Sequence, residues 1–87
     1  MIRVRFVGHI KTTMGTEEVD LDAGDITVGD LFSRLLAVEA SKGAHGFTKF
    51  NTLVVVNDGE VFAAAANEDR RLGRGDTVML VPFSHGG

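Results

Sequence analysis

The chain closes on Gly86-Gly87, and its chemistry is most readily placed there. A C-terminal carboxylate is a poor acyl donor until it is activated. Activation requires it to enter an enzyme pocket beside the phosphates of ATP. Glycine has no Cβ, so two in a row form the narrowest tail and reach backbone angles closed to other residues. Residues 83–87 extend about 17 Å at roughly 3.3 Å each. That length sets the reactive carbon inside a partner while a folded body stays outside. The plain alternative is a frayed terminus without a role. The position of the pair, just after a strand and Pro82, argues against it.

Other chemistries find little support. There is no cysteine, which removes disulfides, thiolate zinc sites, iron–sulfur clusters and cysteine nucleophiles together. His9 and His45 fall in expected loops without metal-ligand spacing, so no metal site is expected. No Ser/His/Asp set, phosphate-cradling glycine loop or paired catalytic carboxylates stand at a recognisable spacing. Arg74-Gly75-Asp76 reads as a turn. The net charge of −3 argues against a general nucleic-acid binder. No apolar run approaches membrane-spanning length, and Met1-Ile2-Arg3-Val4-Arg5 lacks the apolar stretch of a signal peptide. A cytoplasmic protein that is not itself an enzyme is the expectation, with no bound cofactor.

The elements that must hold such a tail are legible by period. Eighty-seven residues allow one domain, expected over residues 1–83, with residues 84–87 as a flexible diglycine tail. Ile2, Val4 and Phe6 alternate with Arg3, Arg5 and Val7, which predicts a half-buried strand over residues 2–8. Residues 9–16 read as a turn, and Val19 and Leu21 mark a second strand, so a β-hairpin is expected. Thr27 is a helix N-cap with Asp30 three residues on. Val28, Leu31, Phe32, Leu35 and Val38 form an apolar stripe, and the helix should end near Ser41-Lys42-Gly43. Phe47 and Phe50 are expected to tuck under the fold. Leu53 to Val56 reads as a strand covered on both faces, Asn57-Asp58-Gly59 as a tight turn, and Glu60 to Ala63 as a short strand. Residues 64–71 carry no pattern beyond a helical turn, and residues 72–76 are a glycine-rich turn. Thr77 to Val81 is the last strand, where Pro82 should stop the pairing.

One mixed sheet wrapped on one main helix buries all these faces. The first and last strands become central neighbours. That is an α+β, β-grasp (ubiquitin-like) arrangement of four or five strands. Val7, Met79, Val81 and Phe83 then fall on the exposed side of the sheet near the tail, as an apolar docking patch would. Arg5 shares that side, and His85 stands beside the diglycine, where it would help to position the tail.

Three stretches resemble the MoaD/ThiS-type ubiquitin-like sulfur carriers. They are Leu53-Val54-Val55-Val56-Asn57, Leu72-Gly73-Arg74-Gly75-Asp76-Thr77-Val78, and Val81-Pro82-Phe83-Ser84-His85-Gly86-Gly87. The resemblance implies that an adenylyltransferase of the ubiquitin-activating type uses ATP to adenylate the Gly87 carboxylate. A sulfurtransferase then supplies the sulfur that replaces AMP, leaving a thiocarboxylate. Its expected acceptor is the molybdopterin precursor, with this chain as the small subunit beside the larger subunit of molybdopterin synthase. Two departures bear on the acceptor. Many molybdopterin carriers have a second proline where this chain has Phe83, and the His85-Gly86-Gly87 ending is similar to the modifier that thiolates tRNA. Thiamine thiazole, tRNA or a protein lysine are therefore alternative acceptors, and a β-grasp binding module that carries no sulfur is a third reading.

Overall fold

Alternation and helical spacing do what their periods dictate in the computed structural model, which describes residues 1–41 and 47–83. Strand β1 (Ile2–Phe6) buries Ile2, Val4 and Phe6 and leaves Arg3 and Arg5 exposed. It pairs antiparallel with β2 (Glu18–Leu21) and parallel with the last strand, β7 (Thr77–Pro82). β7 also pairs antiparallel with β4 (Thr52–Val56), which turns into β5 (Glu60–Ala63). The order is β2-β1-β7-β4-β5, a mixed five-stranded sheet with the first and last of these strands adjacent at its centre.

Helix α2 (Val28–Ser41) seals the inner face with Val28, Leu31, Phe32 and Leu35. Burying side chains of this size contributes about 1.5–3 kcal/mol each. The Thr27 hydroxyl accepts the Asp30 N–H at 3.1 Å, as the N-cap reading requires. Phe47 is buried and stacks edge-on to Phe32, with ring centroids 6.1 Å apart. The expected helix end at Lys42-Gly43 lies outside the described residues.

Several expectations are corrected. The hairpin link is a helix, α1 (Gly8–Met14), ended by Gly15 in the left-handed conformation with φ 74°. Its seven residues present only Ile10 and Met14 to the core, too short a stripe to register as a period. Two short strands lie outside the expectations: β3 (Asp25–Thr27), which runs into the N-cap residue, and β6 (Arg71–Gly73), which spans the end of the unpatterned stretch and the start of the glycine-rich turn, pair with each other in a second sheet. That pairing lets the carbonyls of Glu68 and Arg70 accept the first N–H groups of α2, from Gly29 at 3.0 Å and Val28 at 2.9 Å. Phe50 is 73% exposed instead of tucked in, because the 3₁₀ turn Lys49–Asn51 points it outward, with Lys49 Nζ 5.4 Å from its ring centre. β4 is covered on one face only: Thr52, Val54 and Val56 are buried, whereas Leu53 and Val55 are half-buried. Pro82 does not end the pairing. It is the last residue of β7, opposite Thr52, and the Phe83 N–H still donates to the Asn51 carbonyl at 2.8 Å.

Candidate functional site

The strand that leads to the tail is fastened at its start by two residues from different turns. Asn57 and Asp58 have φ of 51° and 62°, the left-handed pair a tight hairpin turn needs, and asparagine and aspartate tolerate it. From there the Asn57 side chain reaches across. Its Nδ2 donates to Asp76 Oδ1 at 3.0 Å, and its Oδ1 accepts the Thr77 N–H at 2.9 Å. The other Asp76 oxygen accepts the Gly73 N–H at 2.8 Å. The Gly73 N–H first, and Asn57 second, hold the Asp76 carboxyl below the usual carboxylate range. The first two stretches of the sequence pattern are thus the two halves of one hydrogen-bonded clip.

At the other end, β7 delivers Val81, Pro82 and Phe83, all half-buried, to the edge of the domain. Gly86, Gly87 and His85, the residues on which the chemistry was placed, lie outside the described residues.

The outer face of the sheet divides into two halves. On β1 and β2 it is charged: Arg3 Nε lies 3.2 Å from Asp20 and 3.4 Å from Glu18. With Asn57, Asp58 and Thr77, the side chains of Arg3, Arg5 and Glu18 line a polar cleft of about 420 Å³. On β7, β4 and β5 it is apolar. Register sets Met79 opposite Val55 and Val81 opposite Leu53, and sets Val61 and Ala63 of β5 opposite Val55 and Leu53 in turn. Val61 is 59% exposed and the rest of this strip is half-buried.

The structure therefore brings together four of the residues expected to meet a partner. Met79 and Val81 share the strip, Arg5 pairs with Met79 across β1 and β7, and Val7, half-buried, follows β1 at the α1 N-cap. Phe83 comes next after Val81 by alternation. Leu53, Val55, Val61 and Ala63 were missed. For Leu53 and Val55 the signal was the apolar run of β4 itself, but its faces could be told apart only from the β4–β7 register, and Val61 and Ala63 follow from the β4–β5 register. Arg5 stands at the seam between the halves and makes no ion pair among the described residues.

Among the described residues no three His, Asp or Glu side chains group to hold a metal ion, and no helix is long and apolar enough to cross a membrane. A second depression of about 280 Å³, lined by Phe32, Leu36, Lys49 and Phe50 among others, lies between α2 and the 3₁₀ turn, away from the outer face.

No family model and no curated protein matches the sequence. Solved structures do match over nearly the whole chain. SAMP1 from Haloferax volcanii is 26% identical, with 99% of this chain and 98% of that one covered and a TM-score of 0.66. A putative molybdopterin converting factor, subunit 1, from Pyrococcus furiosus is 21% identical, with 95% and 97% covered and a TM-score of 0.66. A chain of the BexX/CysO complex from Amycolatopsis orientalis is 23% identical, with 100% of both chains covered and a TM-score of 0.62.

Proposed function

We propose, for a chain whose fold is that of the MoaD/ThiS-type ubiquitin-like sulfur carriers, that its Gly87 carboxylate is the working group. An adenylating enzyme joins a carboxylate oxygen to the α-phosphorus of ATP and releases pyrophosphate. The outer sulfur of a sulfurtransferase persulfide then attacks the Gly87 carbonyl carbon and expels AMP, and a second thiol cleaves the resulting S–S bond, leaving a thiocarboxylate on Gly87 and a disulfide on the sulfurtransferase side. Sulfur is the softer nucleophile, so the modified terminus attacks an acceptor that carboxylate oxygen would not.

The observation that carries this reading is the place of β7. The strand preceding the diglycine lies at the middle of the sheet, bonded on both sides and clipped at its start. A partner can therefore pull on residues 84–87 without unravelling the domain. The apolar strip of Met79, Val81, Leu53, Val55 and Val61 is the surface on which that partner would sit. Arg5 at the seam would meet one of its carboxylates. Molybdopterin assembly, with a larger synthase subunit on this face, is the acceptor pathway we favour.

Mass spectrometry of the chain incubated with its adenylating enzyme, ATP and a sulfur donor tests the central step. The expected result is a mass gain at Gly87 equal to the exchange of one oxygen for sulfur. An unchanged mass in preparations that consume ATP would refute it. One observation favours a second reading, a protein modifier: the full-length match to a small archaeal modifier protein at 26% identity. Gly87 in an isopeptide bond to a lysine would select that fate, and rescue of a molybdenum-cofactor-deficient strain would select the first.

A further inference from the structure

Two contacts clamp the end of β7 from opposite sides. On one side Pro82 lies against Gly8, where a Cβ would stand 3.0 Å from Pro82 Cγ and 3.5 Å from Pro82 Cδ. Gly8 also has φ +62°, which side-chain-bearing residues adopt at a cost of roughly 1–2 kcal/mol. Glycine meets both demands at once.

On the other side the Phe83 N–H donates to the Asn51 carbonyl at 2.8 Å. Asn51 is itself held firmly. Its Oδ1 accepts the Thr48 N–H at 2.8 Å, while the Thr48 hydroxyl accepts the Phe50 N–H at 3.1 Å, a complete capping box around a three-residue turn. The Thr52 hydroxyl, fully buried, reaches both the Thr48 carbonyl at 2.8 Å and Asn51 Oδ1 at 3.2 Å. Pro82 has no N–H to give, so Phe83 supplies the first donor available beyond Val81, and it is used. A strand end normally frays at this point.

We infer that Gly8 and Asn51 are positioning residues for the C-terminal tail, fixing the point and direction from which residues 84–87 leave the domain. This rests on the carrier reading above. With the clamp, the last residue held to the sheet is Phe83; without it, the last is Val81. Two extra loose residues lower the effective concentration of the terminus roughly two-fold by length alone. Loss of direction adds to that, since misplacement of a reacting group far from the chemistry is costly. Docking on the sheet face is untouched, so the effect belongs in turnover and not in binding.

The test uses the full chain, the adenylating enzyme of the ubiquitin-activating type from the same organism, and ATP–pyrophosphate exchange. Asn51→Ala and Gly8→Ala are expected to lower kcat roughly three- to ten-fold with KM changed by less than about two-fold. Hydrogen exchange at the Phe83 amide, slow in the wild type, should speed up in both. Asn51→Asp keeps an oxygen that accepts from Thr48 and Thr52, so it should turn over like the wild type. Should Gly8→Ala fail to fold, the Asn51 pair decides. The inference is overturned by wild-type kcat in the alanine variants, by equal losses in Asn51→Ala and Asn51→Asp, or by a Phe83 amide unprotected in the wild type. Absence of exchange with the wild-type chain would defeat the carrier reading itself, and this inference with it.

Discussion

The inner and outer faces of the sheet are made by the same strands and have opposite fates. Val78 and Leu80 of β7 are fully buried beneath the helices, with Val4 and Val54 on either side. One residue along, Met79 and Val81 are also apolar, yet they are only half-buried and stand outside the core cluster. Apolar side chains on the inner face are explained by folding. Those on the outer face are not, since a strand wetted on one side ordinarily alternates apolar with polar residues. β1 keeps that rule with Arg3 and Arg5, whereas β7 and β4 break it with Met79, Val81, Leu53 and Val55. The breach runs over one side of the sheet, β7, β4 and β5, and leaves Val61 59% exposed, which is why the outer strip is assigned to a partner.

Substitutions should separate the faces. Leu80→Ala opens a cavity in the sealed core and should cost about 2–5 kcal/mol of stability, read as a fall in the thermal or denaturant midpoint. Met79→Asp should cost less than about 1 kcal/mol of stability but weaken binding of the adenylating enzyme at least roughly ten-fold in a titration. A large stability loss with intact binding would reverse the assignment of this face.

The clip at the start of β7 should give a smaller, pH-dependent effect. Asn57→Ala removes two hydrogen bonds and places a less tolerant residue at positive φ, for about 1–2 kcal/mol. The Asp76 carboxyl titrates below its unfolded value. Its contribution is therefore full above the ordinary carboxylate range and is lost as pH falls through the depressed folded value. Stability measured from neutral pH down to about pH 2 should fall less steeply on the acid side in Asn57→Ala than in the wild type. Smallest of all, Arg3→Ala on the charged half removes exposed ion pairs to Asp20 and Glu18 and should change stability by less than about 1 kcal/mol.

Much of the scaffold was legible in advance. Ile2, Val4 and Phe6 alternate, and Leu31, Phe32 and Leu35 recur at helical spacing, so each segment states its own period and its buried side. Asn57-Asp58-Gly59 announces its turn because few residues accept positive φ. What escaped had no local signature. α1 shows two buried residues in seven, and β3 and β6, three residues each, are strands only because they find one another across the sequence. The candidate site was legible in part. The placing of Met79, Val81, Val7 and Arg5 on one side of the sheet followed from strand alternation. That of Leu53 and Val55 did not, because an unbroken apolar run looks the same whether one face or both are covered, and Val61 and Ala63 of β5 joined them only through the β4–β5 register.

From its residues alone this chain determined the periods of its elements, the side of each that must leave water, and a slender glycine end, since these depend only on neighbours a few positions apart. The tertiary structure decided which face of β4 is left only half-buried, that Asn57 fastens Asp76, and that Gly8 and Asn51 grip the end of β7. Those outcomes depend on strand register and on contacts between segments distant in the chain, which no local pattern encodes.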